Sequence, residues 1–276
     1  MKLSHVRIGL LVLVALAMTS GCGYINRIRA KSELNEVAKN YKEKNFAEAE
    51  KHAKRALELD PDNENAPLFI ARTIHAQYRK GLDTPENVAK ANDAIQAYRE
   101  IAKKDPNNDE AFTAVTVLLG SLGKPDEQRQ WVEERASNGA VDPTKRADAL
   151  AFLASKDWEC SYQVTENKAN QQPTEKDGKV IIVFNKPKDQ AEYDKAVRCM
   201  TGGLEKAANA IKLDDQNEKA WSQRYNLLLE AKKLSQMDNK MDQAGDYAKQ
   251  AEEALKRTQE LNEKKKAQQP PPAAAG

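Results

Sequence analysis

Apolar residues recur every three to four positions through most of the chain, with lysine, glutamate and glutamine between them. This is the spacing of helices that bury one face. It is plainest in residues 41–63 (YKEKNFAEAEKHAKRALELDPDN), where Phe46, Ala49, Ala53, Ala56 and Leu57 share a stripe. Asp60-Pro61 ends that helix, because proline disfavours a helical conformation in the residue before it. Alanine at 49 and 56 leaves room for a neighbouring helix to come close.

The pattern repeats at fixed offsets. Around Pro61 stand Ala49, Ala56, Asp60, Asn63 and Ala66; around Pro106 stand Ala94, Ile101, Asp105, Asn108 and Ala111. Around Asp215 the same offsets give Gly203, Ala210, Asp214, Asn217 and Ala220, and the next position holds Pro67, Phe112 and Trp221 in turn. Three matches at so many offsets define an internal repeat. The unit resembles the tetratricopeptide repeat (TPR): a small residue on the second helix, alanine seven later, then a closing proline. The resemblance covers residues 31–262. It implies an all-α solenoid of about five antiparallel helix pairs that binds other proteins.

Read in order, helices are expected at 31–44 and 46–59, then from 64 and over 88–103. Between the latter two lies a loop at 79–85 marked by Gly81 and Pro85. Helices at 109–122 and 125–137 follow, the second diverged, with Gln128 and Arg135 where small residues are expected. A fourth pair is expected at 145–155 and 192–212, separated by an insertion bounded by Cys160 and Cys199. The insertion holds the strand-like sequence of the chain: Tyr162 and Val164 alternate with polar residues, and VIIVF follows at 180–184, which predicts a β-hairpin or flap. A last unit starts at Glu218, with Trp221, Tyr225 and Leu228 on its first helix, and runs through Lys256 as a long polar helix. Residues 263–276 (EKKKAQQPPPAAAG) read as a disordered tail.

The amino terminus changes the picture. Lys2 and Arg7 precede an apolar run at 8–18, and small residues Thr19-Ser20-Gly21 precede Cys22. These are the parts of an export signal over residues 1–21; at 11 residues the run is short for spanning about 30 Å of hydrocarbon. Small residues before a cysteine resemble the lipobox of bacterial lipoproteins, which implies cleavage before Cys22, lipidation on it and a short tether over 22–30. Thr19 departs from that motif, where leucine is usual, and ordinary cleavage after Ala17 is the competing reading. Gly23 after the cysteine implies the outer membrane under the enterobacterial sorting rule. With Cys22 assigned to lipid, Cys160 and Cys199 remain as a pair for a disulfide in an oxidising compartment, two buried thiols being the alternative.

Charge and motif content narrow the function. The 44 basic and 42 acidic residues are finely mixed, without the basic stripe that nucleic-acid binding needs. Three histidines (His5, His52, His75) stand apart, and no nucleophile elbow, phosphate loop or metal motif appears, so neither an enzyme nor a cofactor or metal is expected. The TPR register implies a partner groove lined by Leu34, Ala38, Tyr41 and Lys42, by Leu68, Arg72 and His75, and by Ser222, Asn226 and Leu229. Lys42, Arg72 and Asn226 do not form the carboxylate clamp known in that family. The expected function is a membrane-anchored scaffold or assembly lipoprotein of the bacterial cell envelope, facing the periplasm. The alternative is a periplasmic small-ligand or glycan module using the insertion as a lid.

Overall fold

The turns that close the repeats show why their residues recur. Backbone N–H groups of Asp60, Asp105 and Asp214 donate to the carbonyls of Ala56, Ile101 and Ala210 at 2.9–3.0 Å, ending each helix. Three residues after each aspartate an asparagine follows, and its Oδ1 accepts from the amide of Ala66, Ala111 or Ala220 at 2.9–3.0 Å. The asparagine satisfies a donor at the start of the next helix, which is what an N-terminal cap does. Aspartate, asparagine and alanine thus recur because they build one turn.

The computed structural model describes residues 3–176 and 178–268. Asp177 at the expected hairpin turn, residues 269–276 of the tail and the side chain of Cys22 lie outside that description. The architecture is all-α and TPR-type, with a small β insertion: among the described residues, five consecutive helix pairs. They are α1 (Leu3–Lys42) with α2 (Phe46–Leu59), α3 (Ala66–Gln77) with α4 (Pro85–Lys104), α5 (Asp109–Ser121) with α6 (Pro125–Ser137), α7 (Pro143–Thr165) with α8 (Gln190–Leu213), and α9 (Glu218–Met237) with α10 (Met241–Ala267). Strands β1 (Gln171–Lys176) and β2 (Lys179–Phe184) form an antiparallel hairpin between α7 and α8.

The chain divides into two compact units, Met1–Gln128 and Arg129–Gly276. In the first, successive helices α1 to α5 pack on one another. Ala30, Ala56 and Ala66 meet with no solvent exposure, flanked by Leu34, Leu57 and Leu59. Ala49 and Ala53 pack with Val37, and Ala94 and Ala111 are equally buried. Ile101 and Pro106 are half-buried and Pro61 is exposed, so the proline acts through the backbone rather than through packing. In the second unit α7, α8 and α9 pack mutually and α10 covers α9. Ala147, Ala151, Ala210 and Ala220 form its alanine seam, and Trp221 is half-buried with its indole N–H on the Asp215 carbonyl at 3.0 Å.

Gly203 shows how tight this seam is. A Cβ there would come within 2.6 Å of Leu227 Cδ2 and 3.0 Å of Asp157 Cβ. We expect Gly203→Val to overpack the α7–α8–α9 junction and cost about 1–3 kcal/mol in chemical denaturation, despite removing a helix-interior glycine. A neutral or stabilising effect would show that the junction yields.

Several expected boundaries move. α1 stops at Lys42, because Lys44 takes a left-handed φ of 62°. The stretch expected to be a tether, 22–30, is helical, and Ala30 is fully buried. The loop before α4 is held by Asn87, whose side chain bonds the backbone of Arg79 and Leu82 at 2.6–2.8 Å. α7 continues ten residues beyond Ser155, so Tyr162 and Val164 are helical rather than strand. Cys160 and Cys199 therefore sit inside α7 and α8. They are disulfide-bonded with Cα atoms 6.0 Å apart, stapling two helices instead of the feet of an insertion. The insertion shrinks to 166–189. The last unit divides where Asn239 adopts φ 57°, and its second helix persists to Ala267, beyond Lys256 and into the expected tail.

Candidate functional site

A groove of about 890 Å³ lies in the first unit, lined from α1, α3, α4 and α5. Tyr41 enters from the end of α1, Arg72, His75 and Ala76 from α3, and Tyr98 from α4. Asp109, Glu110, Thr113, Ala114 and Val117 come from α5. The first helix of each pair faces it, as the register implies. Tyr41 and Val117 present exposed apolar surface, and the Tyr41 ring stands edge-on to Phe46 with centroids 5.1 Å apart.

At the centre, Arg72 donates from Nε and Nη2 to both carboxylate oxygens of Glu110, a bidentate pair joining α3 to α5. Its guanidinium also stands 5.8 Å from the Phe69 ring centroid. The Arg72 hydrogen bond holds the Glu110 carboxyl below the usual range, outweighing partial burial. His75 stands edge-on to Tyr98, centroids 5.9 Å apart. Burial lowers the His75 pKa against the opposing pull of Glu110, and burial raises that of the Tyr98 hydroxyl. Near neutral pH the groove thus offers an uncharged imidazole beside a self-neutralised ion pair, with the uncharged Tyr98 phenol buried in its wall. Such a surface suits aromatic and amide contacts more than capture of a bare carboxylate.

The structure brings Tyr41, Arg72 and His75 together and leaves the other candidates elsewhere. Leu34 is packed among Ala30, Val37, Ala49, Ala56 and Ala66, so it is core and not groove. Lys42 is exposed and Leu68 half-buried on α3, both outside the lining. In the second unit Leu229 packs on Leu228, Ala251 and Ala254, while Asn226 and Ser222 are half-buried on α9. His52, expected to stand alone, has Nδ1 2.6 Å from a Glu33 carboxylate oxygen. Sequence reasoning missed Tyr98 and Glu110. The one signal for Glu110 was its sign, opposite to Arg72 on the preceding first helix.

The hairpin of the second unit is fastened at its base. Phe184 and Val164 pack against the cluster of Tyr193, Met200, Ala231 and Leu234. Lys233 lies over the rings of Tyr162 and Phe184, 5.1 and 5.4 Å from their centroids. It also donates to Glu166 at 2.6 Å and Glu230 at 2.7 Å. Lys186 pairs with Asp238 at 2.5 Å and lies 4.6 Å from the Tyr193 centroid. That hydrogen bond, with those from Lys240 and Tyr193, holds the Asp238 carboxyl at about 2. Above its base, β2 is exposed from Val180 to Val183.

No family model and no curated protein matches this chain. Among solved structures, a crystal structure of MamA protein aligns over 88% of this chain and 96% of its own at 14% identity, with a TM-score of 0.42. A Pseudomonas aeruginosa PilF structure aligns over 87% and 99% at 15% identity and 0.34. The TPR2AB domain of yeast Sti1, solved with an HSP90 peptide, aligns over 83% and 98% at 16% and 0.29. At these scores none bears on function or partner. The helix pairs and their turns carry the fold assignment.

Proposed function

We propose that this chain is a membrane-anchored TPR-type scaffold lipoprotein of the bacterial cell envelope. Cleavage before Cys22 and lipidation of that cysteine hold it to a membrane, the outer one on its periplasmic side, and other envelope proteins bind to its repeats. The groove of the first unit carries this reading. Tyr41 and Val117 offer exposed contact surface, Thr113 and His75 offer hydrogen bonds, and such a mixed polar and apolar lining suits an amphipathic helix or extended peptide. The amino-terminal pattern supports the anchor, since acyl chains contribute about 0.8 kcal/mol per buried methylene and two or more hold a soluble domain firmly.

The test is capture from crosslinked, detergent-solubilised envelope with Val117→Asp and Cys22→Ser chains beside the native one, and mass spectrometry of the amino terminus. We expect one dominant partner with the native chain, about tenfold less with Val117→Asp, the scale of losing one buried apolar contact. Acyl chains should be found on Cys22, and Cys22→Ser should leave the membrane fraction. Equal recovery with Val117→Asp would overturn the groove; an unmodified terminus cleaved after Ala17 would overturn the anchor.

A further inference from the structure

The two strands of the hairpin are unlike. β1 (QQPTEK) is polar on both faces, whereas β2 places Val180 and Ile182 on one face and Ile181 and Val183 on the other. All four aliphatics are exposed, Val180 by 76%. A partner lying flat on one face would leave the other uncovered; a strand added beside β2 brings side chains to both.

The free edges differ in the same sense. Asn170 and Asn185 form a hydrogen-bonded pair, Asn185 N–H donating to the Asn170 carbonyl at 2.8 Å. With the register Gln172↔Val183, Thr174↔Ile181 and Lys176↔Lys179, alternation directs the backbone groups of Val180 and Ile182 away from β1. On β1 the outward positions include Pro173 and Glu175. Proline lacks an N–H, and both residue types are devices that keep an edge from being joined. β1 is protected; β2 is not.

We propose that β2 pairs antiparallel with β2 of a second copy of this chain, giving the four-stranded order β1-β2-β2-β1. The occupant must be a strand that is neutral and aliphatic on both faces, and β2 is the one such strand among the described residues. Charge selects the direction. With Ile181 opposite Ile181, Val180 bonds Ile182 of the copy and Lys179 lies beside Val183, whereas parallel pairing would set Lys179 against Lys179. Phe184 stays on Lys233 in its own chain, so the base of the hairpin is undisturbed. The seam covers only a few hundred Å² per copy, under the ~800 Å² per partner of a standard interface. The dimer is therefore weak and forms at high local concentration.

The experiment uses the full-length Cys22→Ser chain in mild detergent, sedimented from micromolar to millimolar concentration, with Ile181→Cys, Thr174→Cys and Ile182→Lys added singly. We expect concentration-dependent dimers, an intermolecular disulfide through Cys at 181 but not at 174 on the far strand, and dimerisation weakened about tenfold or more by a charge in the seam. The crosslink at 181 is read on a chain that keeps its hairpin, so a misfolded Ile182→Lys chain does not decide the matter. A monomer at every concentration with no crosslink at 181, equal crosslinking at 174, or β2 bound by another protein's strand while the chain stays monomeric would each overturn the proposal.

Discussion

Lys233→Met should destabilise the second unit by about 3–5 kcal/mol, the cost of stripping the partner from a buried charge. Glu230 beneath it is 1% exposed, with Oε1 on Lys233 at 2.7 Å and Oε2 accepting from Thr165 Oγ1 at 2.5 Å. Methionine fills the same volume but leaves Glu230 and Glu166 without a cation. Burial works against the Lys233 charge, yet the hydrogen bonds and charges of Glu166 and Glu230 outweigh it and raise its pKa. The contribution is thus complete below the ordinary lysine range and is lost as pH climbs through the raised value. Denaturation with the Lys233→Met, Glu230→Gln double variant completes the cycle. We expect the second substitution to restore much of the loss, because it removes the orphaned charge. A loss under about 1 kcal/mol for Lys233→Met would mean that water screens the cluster as it does a surface pair.

Replacing Cys160 and Cys199 by serine, or reducing them, should cost roughly 4 kcal/mol in the chain-entropy model for a loop of this length. The sequence separation is 39. For a unit of this size that lowers the melting midpoint by about 8–16 °C. The hairpin should keep its base contacts, since Phe184, Lys186 and Lys233 hold it without the bridge. Calorimetry with and without reductant reads the first expectation, and near-ultraviolet circular dichroism of Trp158 and Tyr162, whose rings lie 5.0 Å apart, reads the second. A midpoint unmoved by reduction would mean that α7 and α8 pack as firmly unlinked.

The helix pairs were readable because their determinants are local. Asp, Asn and Ala at fixed offsets build a turn wherever they fall, so α5 is met within one residue; α6, which lacks that turn, is met at both ends between Gly123 and Asn138. The second half of α7 was hidden because its buried stripe is polar. Asp157, Ser161 and Thr165 occupy positions where alanine would have announced a helix, and the partners of Asp157 (Arg129 and Lys206) and of Thr165 (Glu230) are distant in sequence. Strand β1 has no apolar residue to mark it beyond Pro173; it exists because β2 pairs with it. The break at Asn239 carries no glycine or proline. In the groove, Tyr41, Arg72 and His75 followed from repeat register. Leu34 did not, because on α1 the same face that looks outward near Tyr41 turns into the Ala30–Ala56–Ala66 seam two helical turns earlier.

The burial of Ala30 reaches further than packing. From Gly23 to Tyr41 the chain is continuous helix, a rod of about 27 Å at 1.5 Å per residue. In the anchored form proposed above, a slack rope there would let the groove swing through a hemisphere around residue 22. A rod clamped to α2 and α3 would instead give the groove one heading and one height. On that proposal a partner arriving at Tyr41 meets a fixed bearing, and inserting a few glycines after Gly23 would change its aim without touching a single groove residue.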